Sequence, residues 1–293
     1  TSSGEVTEDI ATRISGKLLP GDVDSGDTAS WAIVGDPHGQ LGTLSLDAQG
    51  VWTYQLDTGS ATIDALGEGA SATATFRVQV TDPHGATDFK DITITVRGHN
   101  DAPMISGVDS GDVTEDQMNS VSGRLNVEDV DSGDHASFEQ SQYAGTYGQF
   151  SLNTDGQWTY QLFDSQAYVQ ALAEGQTATE TFTIAAHDQN GGVTYKPVTV
   201  TVHGTNDAPV ISGVATGVVF EYVSQTAAGR LVGYDPDQGD TNTWNLSDGQ
   251  GKYGALQLDT HGNWTYTLDI NDVDTKALQP GDQVTDSFRV QLT

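Results

Sequence analysis

The chain has 293 residues, no cysteine and a formal net charge of -30, from 41 acidic and 11 basic side chains. Such an acidic chain is a poor partner for nucleic acid or an anionic membrane surface, because both attract positive charge. Without cysteine no disulfide can stabilise the fold, so stability must come from core packing, metal ions or both.

Three similar repeats follow one another along the chain. The acidic segment at 21–27 returns at 128–134 and at 234–240, and tryptophan recurs every 106 residues, at positions 52, 158 and 264. This interval exceeds the roughly 20–50 residues of solenoid repeats and matches a whole domain. We therefore predict three tandem domains: 1–101, which lacks its first strand segment, 102–207, which is complete, and 208–293, which is truncated before its last strand.

Each repeat is predicted to consist of β-strands. In the first repeat, 44–46 and 52–56 flank a glycine-bearing turn and predict a β-hairpin, while 76–80 and 92–96 alternate apolar with polar residues. A period of two in β-branched residues is typical of half-buried strands. Roughly six to eight such strands in each repeat, with little helix, predict an immunoglobulin-like β-sandwich.

The hairpin of each repeat carries the aromatic residues. In the first repeat Trp52, Tyr54 and Leu56 alternate with polar residues. This alternation favours a core-facing strand, since a strand points successive side chains to opposite faces. The alternative is a solvent-exposed aromatic platform on which a sugar could stack, and an exposed cluster would favour it.

Acidic residues recur at fixed offsets in every repeat. Glu8 lies 14 residues before Asp22, and Asp24 follows Asp22 after one intervening residue, so both aspartates can turn toward one point in a loop. Calcium takes six to eight oxygen ligands from carboxylates, carbonyls and water. Aspartate is also an ordinary turn residue, but three copies in register favour calcium. For the last aspartate of each motif the alternatives of ligand and turn cap stay open: Asp27, Asp134 and Asp240.

Three motifs together carry a family resemblance. They are Asp-x-Asp-x-Gly-Asp, the Leu-x-Leu-Asp…Trp-Thr-Tyr-x-Leu hairpin (with Asn153 in place of Asp in the second repeat), and the linker Val-x-Gly-x-Asn-Asp-Ala-Pro. The chain resembles the VCBS-type repeats of large, RTX-type bacterial surface adhesins and, more distantly, cadherin domains, over nearly its whole length. The resemblance implies an all-β protein of tandem immunoglobulin/cadherin-like Greek-key β-sandwiches arranged as an extended rod.

The resemblance also implies calcium ions, Ca2+, bound between successive domains. The ligands implied at the first junction are Glu8, Glu68, Asn100, Asp101, Asp129, Asp131 and Asp188. Those implied at the second are Glu115, Glu174, Asn206, Asp207, Asp235 and Asp237. The first repeat's own counterparts of the downstream ligands are Asp22, Asp24 and Asp82. The third repeat departs from the pattern, because Pro280 stands where Glu68 and Glu174 stand.

The expected function is that of a calcium-stiffened spacer in an extracellular adhesin on the bacterial cell surface, supporting cell adhesion and biofilm formation. Its expected partners are calcium ions and neighbouring repeats, and neither nucleic acid nor the membrane interior. No enzymatic activity is expected, because the paired carboxylates recur in every repeat whereas an active site is normally built once. The alternative is a module that binds carbohydrate or a host protein through an exposed sandwich face.

Overall fold

The computed structural model describes residues 1–21 and 28–293, so Asp22, Asp24 and Asp27 lie outside the described residues. Strands make up 49% and helices 3% of the chain, which confirms the all-β prediction. None of the helices in the described ranges is long and apolar enough to cross a membrane.

The first repeat forms two facing sheets. Their elements are β1 (Ser3–Thr7), β2 (Arg13–Lys17), β3 (Ser30–Val34), β4 (His38–Gly39), β5 (Gly42–Leu46), β6 (Val51–Leu56), α1 (Ala61–Asp64), β7 (Ser71–Thr81) and β8 (Thr87–Arg97). One sheet has the order β1-β8-β7-β3 and the other β2-β6-β5-β4. Because β1 and β2 lie in different sheets, as do β6 and β7, the chain crosses repeatedly between the layers, as in a Greek-key sandwich.

The second repeat has the same plan. Its strands are β9 (Met104–Gly107), β10 (Ser110–Thr114), β11 (Ser120–Glu128), β12 (Ser137–Phe138), β13 (Ser141–Ala144), β14 (Gly148–Leu152), β15 (Gln157–Leu162), β16 (Thr177–His187) and β17 (Val193–His203). The sheets have the orders β10-β17-β16-β12 and β13-β14-β15-β11-β9. The short strands β1 and β10 run parallel to β8 and β17, respectively. This pairing determines where the residue after each short strand points.

The third repeat keeps the hairpin but not the long strand pair. Its elements are β18 (Val210–Gly213), β19 (Thr226–Tyr234), β20 (Trp244–Leu246), β21 (Gly254–Leu258), β22 (Asn263–Leu268), α2 (Val273–Lys276) and β23 (Val290–Leu292). One sheet has the order β18-β19-β22-β21, and β20 pairs with β23. In the second repeat, Thr114 is the last residue of the paired strand β10. Its counterpart in the third repeat, Phe220, is 59% exposed.

The hairpin aromatics form the core, as their alternation predicts. Trp52, Tyr54, Trp158 and Tyr160 are all fully buried. A glycine on the adjacent strand leaves room for each indole; for example, a Cβ on Gly123 would lie 2.5 Å from the Trp158 ring. These rings are therefore not available on the surface as a platform for sugars.

Candidate metal sites at two repeat junctions

The linkers between repeats begin at a glycine held against the base of the preceding repeat. The Gly98 N–H donates to the Ala70 carbonyl over 3.0 Å, and a Cβ on Gly98 would lie 1.9 Å from the Leu66 carbonyl oxygen. Gly204 approaches the Leu172 carbonyl oxygen equally closely. Only glycine permits this approach, so the residue type determines where each linker leaves its repeat.

A buried glutamate follows each short parallel strand. Glu8 comes directly after β1 and is 4% exposed, and its Oε1 accepts a hydrogen bond from the His99 N–H at 2.8 Å. Glu115 comes directly after β10 and is fully buried, and its Oε1 accepts from the Thr205 N–H at 2.8 Å. The parallel pairing thus brings one carboxylate from the first strand of a repeat to the linker that leaves the same repeat.

The linker aspartates contact the next repeat. The Asp101 N–H donates to Asp131 Oδ2 at 2.9 Å, and the Asp207 N–H donates to Asp237 Oδ2 at 2.8 Å. Asp131 is 3% and Asp237 4% exposed. The two junctions therefore have the same backbone-to-carboxylate geometry.

A direct backbone bond also joins successive repeats. The Ser132 N–H, next to Asp131, donates to the Ala65 carbonyl at 3.0 Å, and the Gln238 N–H donates to the Ala171 carbonyl at 3.1 Å. In each case the acidic loop of one repeat lies against the base of the repeat before it. Residues far apart in sequence are thereby brought to a single site.

The first junction includes a further carboxylate from the second repeat. The Asn100 side-chain amide donates to Asp188 Oδ2 at 3.0 Å. Desolvation opposes ionisation of Asp188, but hydrogen bonds from Asn100 and from three backbone N–H groups outweigh it and lower its pKa. Carboxylate oxygens of Asp129, Asp134 and Asp188 lie within 4.8 Å of one another. This spacing would allow one cation to contact all three.

The second junction has its own acidic group. Carboxylate oxygens of Asp235, Asp237 and Asp240 lie within 4.8 Å of one another. The Asn206 amide donates to the carbonyl of the adjacent Asp207 at 3.0 Å. The structure describes the last aspartate of the motif in two repeats, Asp134 and Asp240. Each lies close to another acidic side chain of its own loop.

Burial and mutual repulsion make the ionised state of these acids unfavourable. Desolvation, together with the charges of Asp101 and Asp9, raises the pKa of Glu8 from 4.5 to about 7. Desolvation likewise raises the pKa of Glu115 to about 7, with contributions from the charges of Asp207, Asp116 and Asp237. Among the described residues, no lysine or arginine forms a salt bridge with the clustered acids. A protein interior that gathers carboxylates without a counter-charge requires protons or a cation to neutralise them.

Unpartnered oxygens at the junctions fit a hard cation. Eight buried side-chain oxygens lack a hydrogen-bond partner in the described part of the chain, and six of them belong to the two junctions. These six are Asn100 Oδ1, Glu115 Oε2, Asp129 Oδ2, Asp131 Oδ1, Asp207 Oδ2 and Asp237 Oδ1. Buried polar groups normally have partners, and oxygen-only sets of carboxylate and amide ligands are what calcium prefers. The residues present therefore suit Ca2+.

Three of the residues implied by the resemblance are exposed or accept hydrogen bonds within their own turn. Glu68 is 59% exposed, and its Oε2 lies 3.5 Å from His99 Nδ1. Glu174 is exposed. Asp82 accepts hydrogen bonds from the His84 and Ala86 N–H groups, each at 2.8 Å, and so closes its own turn.

Sequence reasoning missed three acids that the structure brings close to the linkers. Asp9 and Asp116 each follow the buried glutamate, and Asp64 is the last residue of α1. Both Asp9 and Asp64 act on Asp101, whose pKa is raised by desolvation first and then by the charges around it. The signal available in the sequence was the Glu-Asp pair at 8–9 and again at 115–116.

The chain matches one family model and is similar to several solved structures. The bacterial cadherin-like domain family matches three times, at residues 1–98, 100–204 and 206–293. No match was found among curated proteins. Among solved structures, the chain is similar to protocadherin gamma B7 domains EC3–6 (14% identity, TM-score 0.48, covering 91% of this chain and 63% of that one). It is also similar to Drosophila N-cadherin EC1–4 (16% identity, TM-score 0.37, covering 94% and 66%).

The chain thus spans less than two thirds of the length of these two cadherin structures. The family matches cover nearly all of its residues and place one copy on each of the three repeats. The chain belongs to the bacterial cadherin-like domain family.

Proposed function

We propose that the chain is a calcium-stiffened, tandem-repeat spacer of an RTX-type, VCBS-repeat adhesin on the bacterial cell surface, supporting cell adhesion and biofilm formation. The domain boundaries 1–101, 102–207 and 208–293 are part of this proposal. The observation that carries it is the set of buried, unpartnered oxygens located where two repeats meet.

The proposed mechanism is electrostatic. Without calcium, the carboxylates at each junction repel one another, while hydrogen bonds such as Ser132 N–H to the Ala65 carbonyl hold the repeats together. With calcium, ligands from both repeats bind the same ion, so the free energy of binding depends on the repeats being ordered relative to each other. Ion binding thereby stiffens the joint.

The proposed setting outside the cell suits such sites. Calcium modules of extracellular proteins bind with a Kd of about 10⁻⁴–10⁻³ M. This range leaves them empty in cytosol and loaded in a calcium-rich medium. A carbohydrate or host-protein ligand of the adhesin would then bind through other parts of the parent protein, since the hairpin aromatics here are buried.

Thermal melting and small-angle scattering test this proposal. Adding calcium at millimolar concentration to calcium-stripped protein should raise the melting temperature and narrow the range of interdomain distances. Magnesium should do less, because it demands a tight octahedral site and retains its water. Identical melting temperatures and scattering curves with calcium and with EDTA would contradict the proposal.

The variant Asp101→Ala separates stiffening from folding. Asp101 lies between the two repeats, so its loss should release interdomain order in calcium while each sandwich stays folded. Asp155→Ala, at an exposed turn of the second repeat, is the matched control. If Asp101→Ala scatters in calcium like the parent chain, Asp101 does not bridge the repeats.

A further inference from the structure

The first two repeats each place one long strand between two others. β8 runs antiparallel to β7 and parallel to β1, and β17 has the same place between β16 and β10. The core-facing side chains of this strand are β-branched and fully buried: Ile92, Ile94 and Val96 in the first repeat, and Val198, Val200 and Val202 in the second. This long strand therefore closes one side of the core in both repeats.

In the third repeat, the segment equivalent to β10 is in position. The Trp264 Nε1–H donates to the Val214 carbonyl at 2.6 Å, as the Trp158 Nε1–H does to the Val108 carbonyl at 2.7 Å. Within the described chain, residues 215–219 nevertheless form no backbone–backbone hydrogen bond. The segment is thus placed like the strand β10 but lacks the partner that β10 has.

The segment equivalent to β16 is in position as well. Asp286 Oδ2 accepts a hydrogen bond from Tyr266 Oη at 2.8 Å, as Glu180 Oε2 accepts one from Tyr160 Oη at 2.6 Å. In the part of the chain that the structure describes, residues 283–288 also form no backbone–backbone hydrogen bond. The same side-chain contact therefore positions this segment, although it has no strand beside it.

Between these two segments the core of the third repeat is partly open. Tyr266 and Leu268 are partly exposed, whereas their counterparts Tyr160 and Leu162 are buried. The sheets that the structure describes for this repeat have the orders β18-β19-β22-β21 and β20-β23, without a strand equivalent to β8 or β17. We call the space between 215–219 and 283–288 the strand slot. Backbones without a strand partner are a template for a further strand.

One border of the strand slot carries a positive charge that needs a partner. In the first repeat, Arg77 on β7 binds Asp91, directly opposite on β8, through two hydrogen bonds of 2.9 and 3.2 Å. The counterpart of Arg77 in the third repeat is Arg289, which is exposed and forms no salt bridge with a described residue. The second repeat has the uncharged pair Thr183 and Pro197 at these positions. A strand that complements Arg289 therefore carries an acid where β8 carries Asp91.

The other border of the strand slot is apolar. Glu5 binds Arg97 at 2.8 Å in the first repeat, and Asp112 lies 2.9 Å from the His203 ring in the second. The third repeat has Val218 at this position, and its side chain is 72% exposed. A strand in this slot therefore needs no basic residue where β8 has Arg97.

We propose that the third repeat binds an extended segment of a separate polypeptide in the strand slot, parallel to 215–219 and antiparallel to 283–293. Alternating β-branched side chains of this segment fill the open core, and a carboxylate on its other face pairs with Arg289. Main-chain hydrogen bonds provide the affinity of such strand addition, and the alternate side chains its specificity. The slot does not include the junction acids, so the inference goes beyond the proposed function.

A synthetic peptide with the sequence of β8, residues 87–97, tests the proposal on the whole 293-residue chain. In millimolar calcium, fluorescence anisotropy of the labelled peptide should show saturable binding with one peptide per chain. Hydrogen exchange of the 283–288 amides should become slower in the complex. A peptide of the same composition in scrambled order should not bind. The β17 peptide, residues 193–203, should bind more weakly, because Pro197 lacks both an N–H group and a charge.

Charge exchange identifies the binding site of the peptide. Replacing Asp91→Asn in the peptide should weaken binding about twofold to fivefold, the range for an exposed ion pair. The chain variant Arg289→Glu should weaken binding of the unchanged peptide, and Asp91→Lys in the peptide should restore it. Arg230→Glu makes the same charge change at an exposed position of β19, in the other sheet, and should bind the peptide like the parent chain.

Three results would overturn the proposal. They are no binding of the β8 peptide, equal binding of the scrambled peptide, and equal losses of affinity in Arg289→Glu and Arg230→Glu. Each of them would leave the proposed calcium-dependent function standing, because that function depends on the junction acids and not on Arg289.

Discussion

Two kinds of buried carboxylate occur in this chain, and their surroundings differ. Glu180 in the second repeat is 9% exposed, and its oxygens accept hydrogen bonds from Tyr160 Oη at 2.6 Å and from the Thr146 and Tyr147 N–H groups. Both of its oxygens have donors, so it needs no ion. Glu115 is more deeply buried, yet one of its oxygens has no donor. Burial is therefore compatible with either role, and the missing partner is what distinguishes a candidate ligand.

The junction glutamates should make the calcium-free chain sensitive to pH. Glu8 and Glu115 have a pKa of about 7 in the folded chain, against 4.5 ordinarily. Between these values the folded state binds more protons than the unfolded state, so stability should fall as pH rises from about 4.5 to about 7. The melting temperature in calcium-stripped buffer should therefore be higher at pH 5 than at pH 8.

Calcium should oppose this trend, because it binds the ionised carboxylates and competes with protons. In millimolar calcium, the melting temperature should fall less between pH 5 and pH 8, or should rise. A calcium-free chain whose melting temperature rises over this interval would mean that Glu8 and Glu115 ionise freely.

Among the structural elements, the linker fits tightly against the preceding repeat at its first glycine. The variant Gly98→Ala would place a Cβ 1.9 Å from the Leu66 carbonyl oxygen. The linker must then move, which breaks the His99 N–H to Glu8 hydrogen bond and displaces Asp101. We expect a cost of about 1–3 kcal/mol in the stability of the first repeat, together with weaker calcium binding at the first junction.

Gly59→Ala is the control for this prediction. The φ of Gly59 lies outside the left-handed region, and a Cβ added there would have no atom of a non-adjacent residue closer than 3.8 Å. The substitution should therefore leave both stability and calcium binding unchanged, as followed by urea denaturation and calorimetry. Equal behaviour of the two variants would show that the linker tolerates displacement.

Local patterns predicted much of this architecture. The alternation around Trp52 placed the hairpin in the core, and the Asn-Asp linker and Asp-x-Asp loops pointed to acids that the structure places near one another. These features depend on a few consecutive residues. The position of Glu8 against the linker depends on how β1 pairs with β8, which is distant in sequence. Sequence spacing alone could not show this, nor could it show that the Glu68 carboxylate lies 3.5 Å from His99 Nδ1.

At the scale of the whole molecule, the two junctions differ in charge. The first combines Asp129, Asp131 and Asp134 with Asp188, which is held by the linker Asn100. At the second, the Asn206 side-chain amide donates to the Asp207 carbonyl, and the described residues include no hydrogen bond from this amide to a carboxylate. Asp64 at the first junction also corresponds to the neutral Gln170 at the second. The first junction therefore offers more carboxylate ligands to its ions.

Calcium affinity rises with the number of charged ligands and the rigidity of the site, so the second junction should bind its ion more weakly. The double variants Asp129→Ala/Asp131→Ala and Asp235→Ala/Asp237→Ala remove equivalent ligands from the first and second junctions, respectively. Calorimetry on each variant measures the calcium affinity of the junction that remains intact. The variant in which only the first junction is intact should bind calcium more tightly. Its repeats should become ordered relative to each other at a lower calcium concentration. Equal affinities, or tighter binding at the second junction, would mean that Asp188 and Asp64 contribute nothing to the ion and that the acids shared by both junctions determine its affinity.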